Sequence, residues 1–193
     1  MQQLADNVCC VNLNYRHIAT LFLKRKFMAS KKTPPVAVVM GSDSDLDVMK
    51  SCIEQLRQFG IEPVVRVISA HRTPQIAAEF AESAAANGFK VIIAAAGMAA
   101  HLAGALAART ILPVIGVPLD ANQGLAGLDA LLSTMQMPPG VPVATVAVGK
   151  PGAKNAAILA VQILALSDNT LAKKLLAFKK SQADKVIEKN GKL

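Results

Sequence analysis

Short apolar runs rich in β-branched residues recur along this chain, and each is followed by a segment with helical spacing. Val36-Ala37-Val38-Val39-Met40 ends at Gly41, and Met49, Cys52, Ile53 and Leu56 then recur at helical intervals up to Gly60, a natural helix stop. Val64 to Ile68 predicts a second strand. Thr73-Pro74 supplies an N-cap and a first-turn proline for a helix that closes at Gly88. Val91 to Ala96 and Val114 to Val117 read as the third and fourth strands, with a helix over Ala99 to Arg109 between them. A helix around Leu128 to Met135 precedes a fifth strand at Val143 to Val148. An Ala-rich helix then begins after Gly152, and a basic amphipathic helix spans Asn169 to Asn190. Strands apolar on both faces, alternating with helices, predict an α/β fold: a three-layer α/β/α sandwich on a parallel sheet, with an added C-terminal helix.

Right-handed crossovers place every strand-to-helix loop on one edge of such a sheet, and ligands bind in the crevice there. Three loops then face a common ligand. Gly41-Ser42-Asp43-Ser44-Asp45 offers a tight turn, two hydroxyls and N–H groups at a helix start, which suit a phosphate ester; its carboxylates suit ribose hydroxyls. A plain helix cap by Ser44 or Asp45 explains this loop equally well, and it lacks the Gly-Lys-Ser/Thr ending of a P-loop. In Ser69-Ala70-His71-Arg72-Thr73-Pro74 an arginine able to grip phosphate bidentately adjoins an imidazole able to exchange a proton near neutral pH. In Gly97-Met98-Ala99-Ala100-His101-Leu102, the backbone N–H groups of residues 97–100 suit a carboxylate, and small side chains keep the pocket dry. His101, on an Ala-rich helix, reads as a packed or interface histidine rather than a proton carrier. Asn122, Gln123, Gln136 and Asn155 are polar candidates that spacing does not place.

At 193 residues, with no Ser/Gly-rich or Pro-rich linker, the chain is sized for one domain. Its net charge of +8 raises a nucleic-acid reading, so where the charge lies matters. Residues 1–33 carry six Lys/Arg and one acid, residues 168–193 seven and three, and residues 34–167 eight and nine. The body is nearly neutral, and with one Tyr, no Trp and no basic stripe interleaved with aromatics, no nucleic-acid surface is expected. Hydrophobic residues make up 52% of the chain and the mean hydropathy is +0.37, an excess that suggests helix faces buried against other subunits. Cys9, Cys10 and Cys52 form neither a paired framework nor a metal-ligand spacing, which fits a reducing, cytoplasmic compartment; Cys52 falls on an apolar helix face. Val91 to Ala108 has no formally charged residue, yet its Ala/Gly content, His101 and the change of pattern at Gly97 mark it as buried core rather than a membrane span.

The expected organisation is an N-terminal extension over 1–33, a catalytic α/β domain over 34–167, and a C-terminal amphipathic helix over 168–193 packing on the domain or on a neighbouring subunit. In residues 1–27 the basic cluster Lys24-Arg25-Lys26 follows the apolar stretch, the reverse of a signal peptide. Met28-Ala29-Ser30-Lys31-Lys32 looks like an ordinary bacterial amino terminus, so the expectation is that translation begins at Met28 and that 1–27 is an upstream artefact or a disordered leader. An organelle-targeting leader is the other reading.

From Val36 to about Leu166 the residues resemble the class I N5-carboxyaminoimidazole ribonucleotide mutase family, the phosphoribosylaminoimidazole carboxylase catalytic subunits of purine biosynthesis. The resemblance rests on the first two loops, Ala99-Ala100-His101-Leu102, Gln136-Met137-Pro138 with Gly140-Val141-Pro142-Val143, and Gly152-Ala153-Lys154-Asn155-Ala156, in order. It implies a flavodoxin-like fold, and an isomerase that moves a carboxyl group from the exocyclic nitrogen to ring carbon C4 of an aminoimidazole ribonucleotide without ATP, metal or cofactor. It further implies His71 as the acid/base residue and Ser42, Asp45 and Arg72 at the ribose 5-phosphate end, with Ser44 and Ser69 nearby. Gly41, Ala70, Gly97, Ala99, Ala100, His101 and Leu102 complete the substrate-binding set. A homo-octamer with sites at subunit junctions is implied too, as is a transient ATP-dependent carboxylase that delivers the labile carbamate. The family's third loop reads Gly-Ala-Gly-Gly-Ala-Ala-His-Leu-Pro-Gly, whereas Ala95, Met98 and Ala103 stand here for two glycines and the proline. Ala95 matters if its position needs positive φ, and Met98 adds a side chain where backbone should approach the carboxylate. Two other readings are a related carboxylase using free carbon dioxide and a non-catalytic nucleotide-binding module in which His71 and Arg72 only hold phosphate.

Overall fold

A computed structural model describes residues 34–120 and 125–192. Cys9, Cys10, Asn122, Gln123 and the 1–33 extension lie outside these residues.

Five parallel strands, β1 (Val36–Met40), β2 (Val64–Val67), β3 (Val91–Gly97), β4 (Val114–Leu119) and β5 (Ala144–Thr145), form one sheet in the order β2-β1-β3-β4-β5. This is the flavodoxin-like order, whose chain reverses direction across the sheet between β1 and β3 and opens a crevice there. Helices α1 (Leu46–Gln58), α2 (Pro74–Ala84), α3 (Leu102–Ala107), α4 (Leu128–Met135), α5 (Gly149–Ala165) and α6 (Asn169–Asn190) cover and extend it.

Alternation along the central strands sorts the core into two layers. Val36, Val38 and Met40 of β1, with Val91, Ile93 and Ala95 of β3, pack on one face against Met49, Cys52 and Leu56 of α1 and the alanines of α5. Ala37, Val39, Ile92 and Ala94 face the other way, onto Ala77 and Ala81 of α2 and Leu102 and Leu106 of α3. Gly60, at φ 83°, ends α1 as expected: its N–H goes to the Arg57 carbonyl and that of Ile61 to Leu56, a Schellman closure. The uncharged stretch from Val91 divides into β3 and α3. Among the described residues, no helix is long and apolar enough to cross a membrane.

The elements depart most from expectation at β2, β5, α5 and α3. β2 is not buried on both faces: Val65 and Val67 are 37% and 55% exposed, because β2 is the sheet's edge, a position its Arg66 also marks. β5 is two residues long rather than six, since α5 begins at Gly149, before Gly152; only the bond from Val146 N–H to the Gly116 carbonyl extends the pairing. Gly152 lies inside that helix, where a Cβ would overlap the Ala147 carbonyl oxygen. Finally, α3 starts at Leu102 rather than Ala99. Met98 takes the left-handed conformation at φ 54°, and the Ala100 and His101 N–H groups bond to the carbonyls of Met98 and Ala99, so helical bonding is postponed.

Candidate active site

The first loop leaves β1 at Gly41, whose N–H bonds to the Ala95 carbonyl of β3 at 3.0 Å. Ser42 caps a 3-10 turn over Asp43–Asp45 in a capping box, with its own N–H donating to Asp45 Oδ2 at 3.1 Å. The Ser44 hydroxyl donates to Ser42 Oγ at 2.9 Å, while the Ser42 hydroxyl and the Ser44 N–H both approach Asp43 Oδ1, at 3.2 and 3.1 Å. Partial burial pushes the Asp45 carboxyl above the usual carboxylate range, and the bonds from Ser42 and Ser44 offset this only in part. The loop therefore gathers hydroxyl and N–H donors around one carboxylate oxygen, a geometry a phosphate oxygen can also satisfy.

The second loop follows β2. Ile68 N–H still bonds to the Met40 carbonyl at 2.8 Å, which holds the loop's start beside the first loop. Arg72 directs its backbone N–H and Nε to Ser69 Oγ, at 3.1 and 3.4 Å, and its Nη2 to the Gly41 carbonyl at 3.2 Å. His71 is exposed, and its Nε2 lies 2.7 Å from His101 Nδ1, the rings meeting edge-on with centroids 4.8 Å apart. A contact this short between ring nitrogens holds one hydrogen: one imidazole donates and the other accepts.

His101 thus departs from the packed-histidine reading within the chain. It is exposed at the N-cap of α3, makes no side-chain capping bond, and meets His71. Sequence alone hid this because an imidazole on an alanine-rich helix gives no sign of which loop it opposes. Ala100 and Leu102 have buried side chains, Leu102 in the core beneath α2 and α3, and the Ala100 N–H is already bonded to Met98. Ala99 and Met98 are exposed, Gly97 ends β3, and Ser69 and Ala70 are half-buried. Gln136, at the end of α4, and Asn155, on α5, are exposed. Ala95 lies in β3 away from any positive φ, so alanine costs nothing in backbone conformation there. Burial pushes the Cys52 thiol up to about 12, which leaves it a protonated core residue rather than a nucleophile. Among the described residues no three His, Cys, Asp or Glu side chains cluster to hold a metal.

Two tertiary contacts, Arg72 to Gly41 and His71 to His101, therefore bring three loops from three successive strands into one crevice. The AIR carboxylase family profile matches residues 35–185, a span that includes all three loops. The chain belongs to the AIR carboxylase family. A relative from Saccharolobus solfataricus, named N5-carboxyaminoimidazole ribonucleotide mutase, is 52% identical over 154 residues, covering 80% of this chain and 96% of its own length. The protein of the same name from Escherichia coli K12 is 50% identical over 162 residues, covering 83% of this chain and 95% of its own. The crystal structure of Treponema denticola PurE superposes with a TM-score of 0.73 at 32% identity, covering 82% of this chain and 97% of that one. The family and the flavodoxin-like fold both agree with the resemblance read from the loops.

Proposed function

We propose that this AIR carboxylase family member is an N5-carboxyaminoimidazole ribonucleotide mutase of purine biosynthesis, with His71 as its acid/base residue. The observation that supports the reading is the double junction of His71 on His101 and Arg72 on Gly41, which brings an imidazole beside the hydroxyl-rich first loop. Ser42, Ser44 and Arg72 hold the 5-phosphate, and the Asp45 carboxylate accepts from ribose hydroxyls. His71 protonates the carbamate nitrogen, the N–C bond breaks, and carbon dioxide leaves an electron-rich ring. C4 attacks the retained carbon dioxide to form the C–C bond, and His71 takes the C4 proton, so the two half-reactions leave its protonation unchanged. His101 shares the hydrogen held between the rings and keeps one nitrogen of His71 committed, so the other faces the substrate. The small apolar lining offered by Ala70, Gly97 and Ala99 retains carbon dioxide and excludes water.

A homo-octamer, a cytoplasmic setting and delivery of the carbamate by a transient ATP-dependent carboxylase belong to the same proposal. The family's name favours a second reading, direct carboxylation of aminoimidazole ribonucleotide by free carbon dioxide. Assays of each substrate at low bicarbonate separate the two: a mutase turns over the carbamate without added bicarbonate, whereas equal dependence on bicarbonate rejects it. His71→Asn is expected to keep ribonucleotide binding and to lower turnover by at least about 100-fold. Normal turnover in that variant removes the catalytic role.

A further inference from the structure

The threonine that opens α2 does not cap it. Thr73 occupies the N-cap position, yet its side chain makes no bond to the free N–H groups of the helix. Its hydroxyl turns back instead, accepting the Ser69 N–H at 3.0 Å and donating to the Ser69 carbonyl at 2.9 Å. The Thr73 N–H reaches the same carbonyl at 2.9 Å. Both backbone polar groups of Ser69 are thus held by one residue four positions on, and the segment closes with His71 at its midpoint. An N-cap threonine ordinarily stabilises its helix through this hydroxyl. Pro74 at the first helical position has no N–H, so the helix start already has one fewer donor to satisfy.

Arg72 has anchors of its own on Ser69 Oγ and the Gly41 carbonyl. The His71 ring has none inside its loop; its hydrogen bond is to His101, across the crevice. The position of the imidazole therefore depends on how the Ser69-to-Thr73 closure holds the backbone beneath it. We propose that Thr73 is a positioning residue for His71, fixing through the Ser69 peptide the place from which the imidazole meets substrate and His101. This rests on His71 being the proton carrier.

Thr73→Val keeps the side chain's shape and removes both hydroxyl bonds. It is expected to lower kcat on the order of 10- to 100-fold, the scale of a small misplacement of a reacting group, with KM within about threefold because the anchors of Arg72 persist. Thr73→Ser restores the hydroxyl and should return kcat to within about threefold of the parent. Denaturation midpoints run in parallel: a threonine that only stabilised the helix would shift the midpoint without this kcat-against-KM split. A kcat for Thr73→Val within about twofold of the parent, or a Thr73→Ser variant as slow as Thr73→Val, overturns the proposal. Thr73→Ala carries the same comparison if the valine variant does not fold. His71→Asn is measured alongside. Normal turnover there defeats the reading of His71 and this proposal with it, whereas an inactive His71→Asn beside a normal Thr73→Val defeats the Thr73 proposal alone.

Discussion

Met98 stands where the resembled loop pattern has glycine, and with Ala126 it is one of two non-glycine residues at positive φ among the described residues. A non-glycine residue at φ 54° sits roughly 1–2 kcal/mol above the right-handed well, because Cβ crowds the following carbonyl. That conformation lets the Ala100 and His101 N–H groups close back onto Met98 and Ala99, and so sets where His101 enters α3. The side chain is half in solvent, which gives little packing in return. Met98→Gly is accordingly expected to raise stability by about 0.5–1 kcal/mol, the relieved strain exceeding glycine's extra freedom in the unfolded chain. A higher urea midpoint at fixed protein concentration would show it; a lower one would mean that the methionine side chain contributes more than its exposure suggests.

Among the elements, α6 combines two kinds of helix in one. Its first turns are tied down: Asp168 caps them through Thr170 and Leu171 N–H, Leu171 and Leu175 enter the core, and Phe178 meets Phe59 edge-on with centroids 5.4 Å apart. Lys174 Nζ also donates to the Phe59 carbonyl at the end of α1, at 2.7 Å. Beyond Phe178 the helix is exposed. Leu175→Ala is expected to cost about 2–3 kcal/mol, whereas removing residues 182–193 should change stability by less than about 1 kcal/mol. Equal losses in the two denaturation curves would contradict this division. The same contrast explains how much of the fold the sequence allowed to be read. β1, the end of α1 and the span of α6 could be read nearly to the residue because apolar spacing and Gly60 are local signals. β2 looked buried because its valines match those of an interior strand, and edge position is a property of the whole sheet. β5 and the start of α3 depended on where helical bonding begins, which φ at Met98 and Gly149 decides and composition does not. Within the site, His71 and Arg72 stood out as adjacent polar residues after an apolar run. The hydroxyl of Thr73 was read as a cap because its spacing to Pro74 says cap, while its spacing to Ser69 carries the other partner.

For the molecule as a whole, the near-neutral body and the exposed apolar residues pose one question of surface. Leu128, Leu132 and Met135 line one side of α4 at helical spacing and are each about half exposed in the single chain, and Val67 is similarly open on β2. If the chain assembles as proposed above, such faces are covered between copies. Leu132→Lys should then lower the mass found by light scattering while leaving the circular dichroism of the chain unchanged; an unaltered mass places the contact elsewhere.

His71 and His101 are 30 positions apart, and Arg72 and Gly41 are 31 apart, so the crevice draws its parts from three consecutive strand-helix repeats. Because β3 lies beside β1 with β2 beyond it, those parts meet only after the chain has crossed over itself. No proteolytic fragment ending before the third repeat can assemble this crevice: it keeps Gly41, His71 and Arg72 but loses His101.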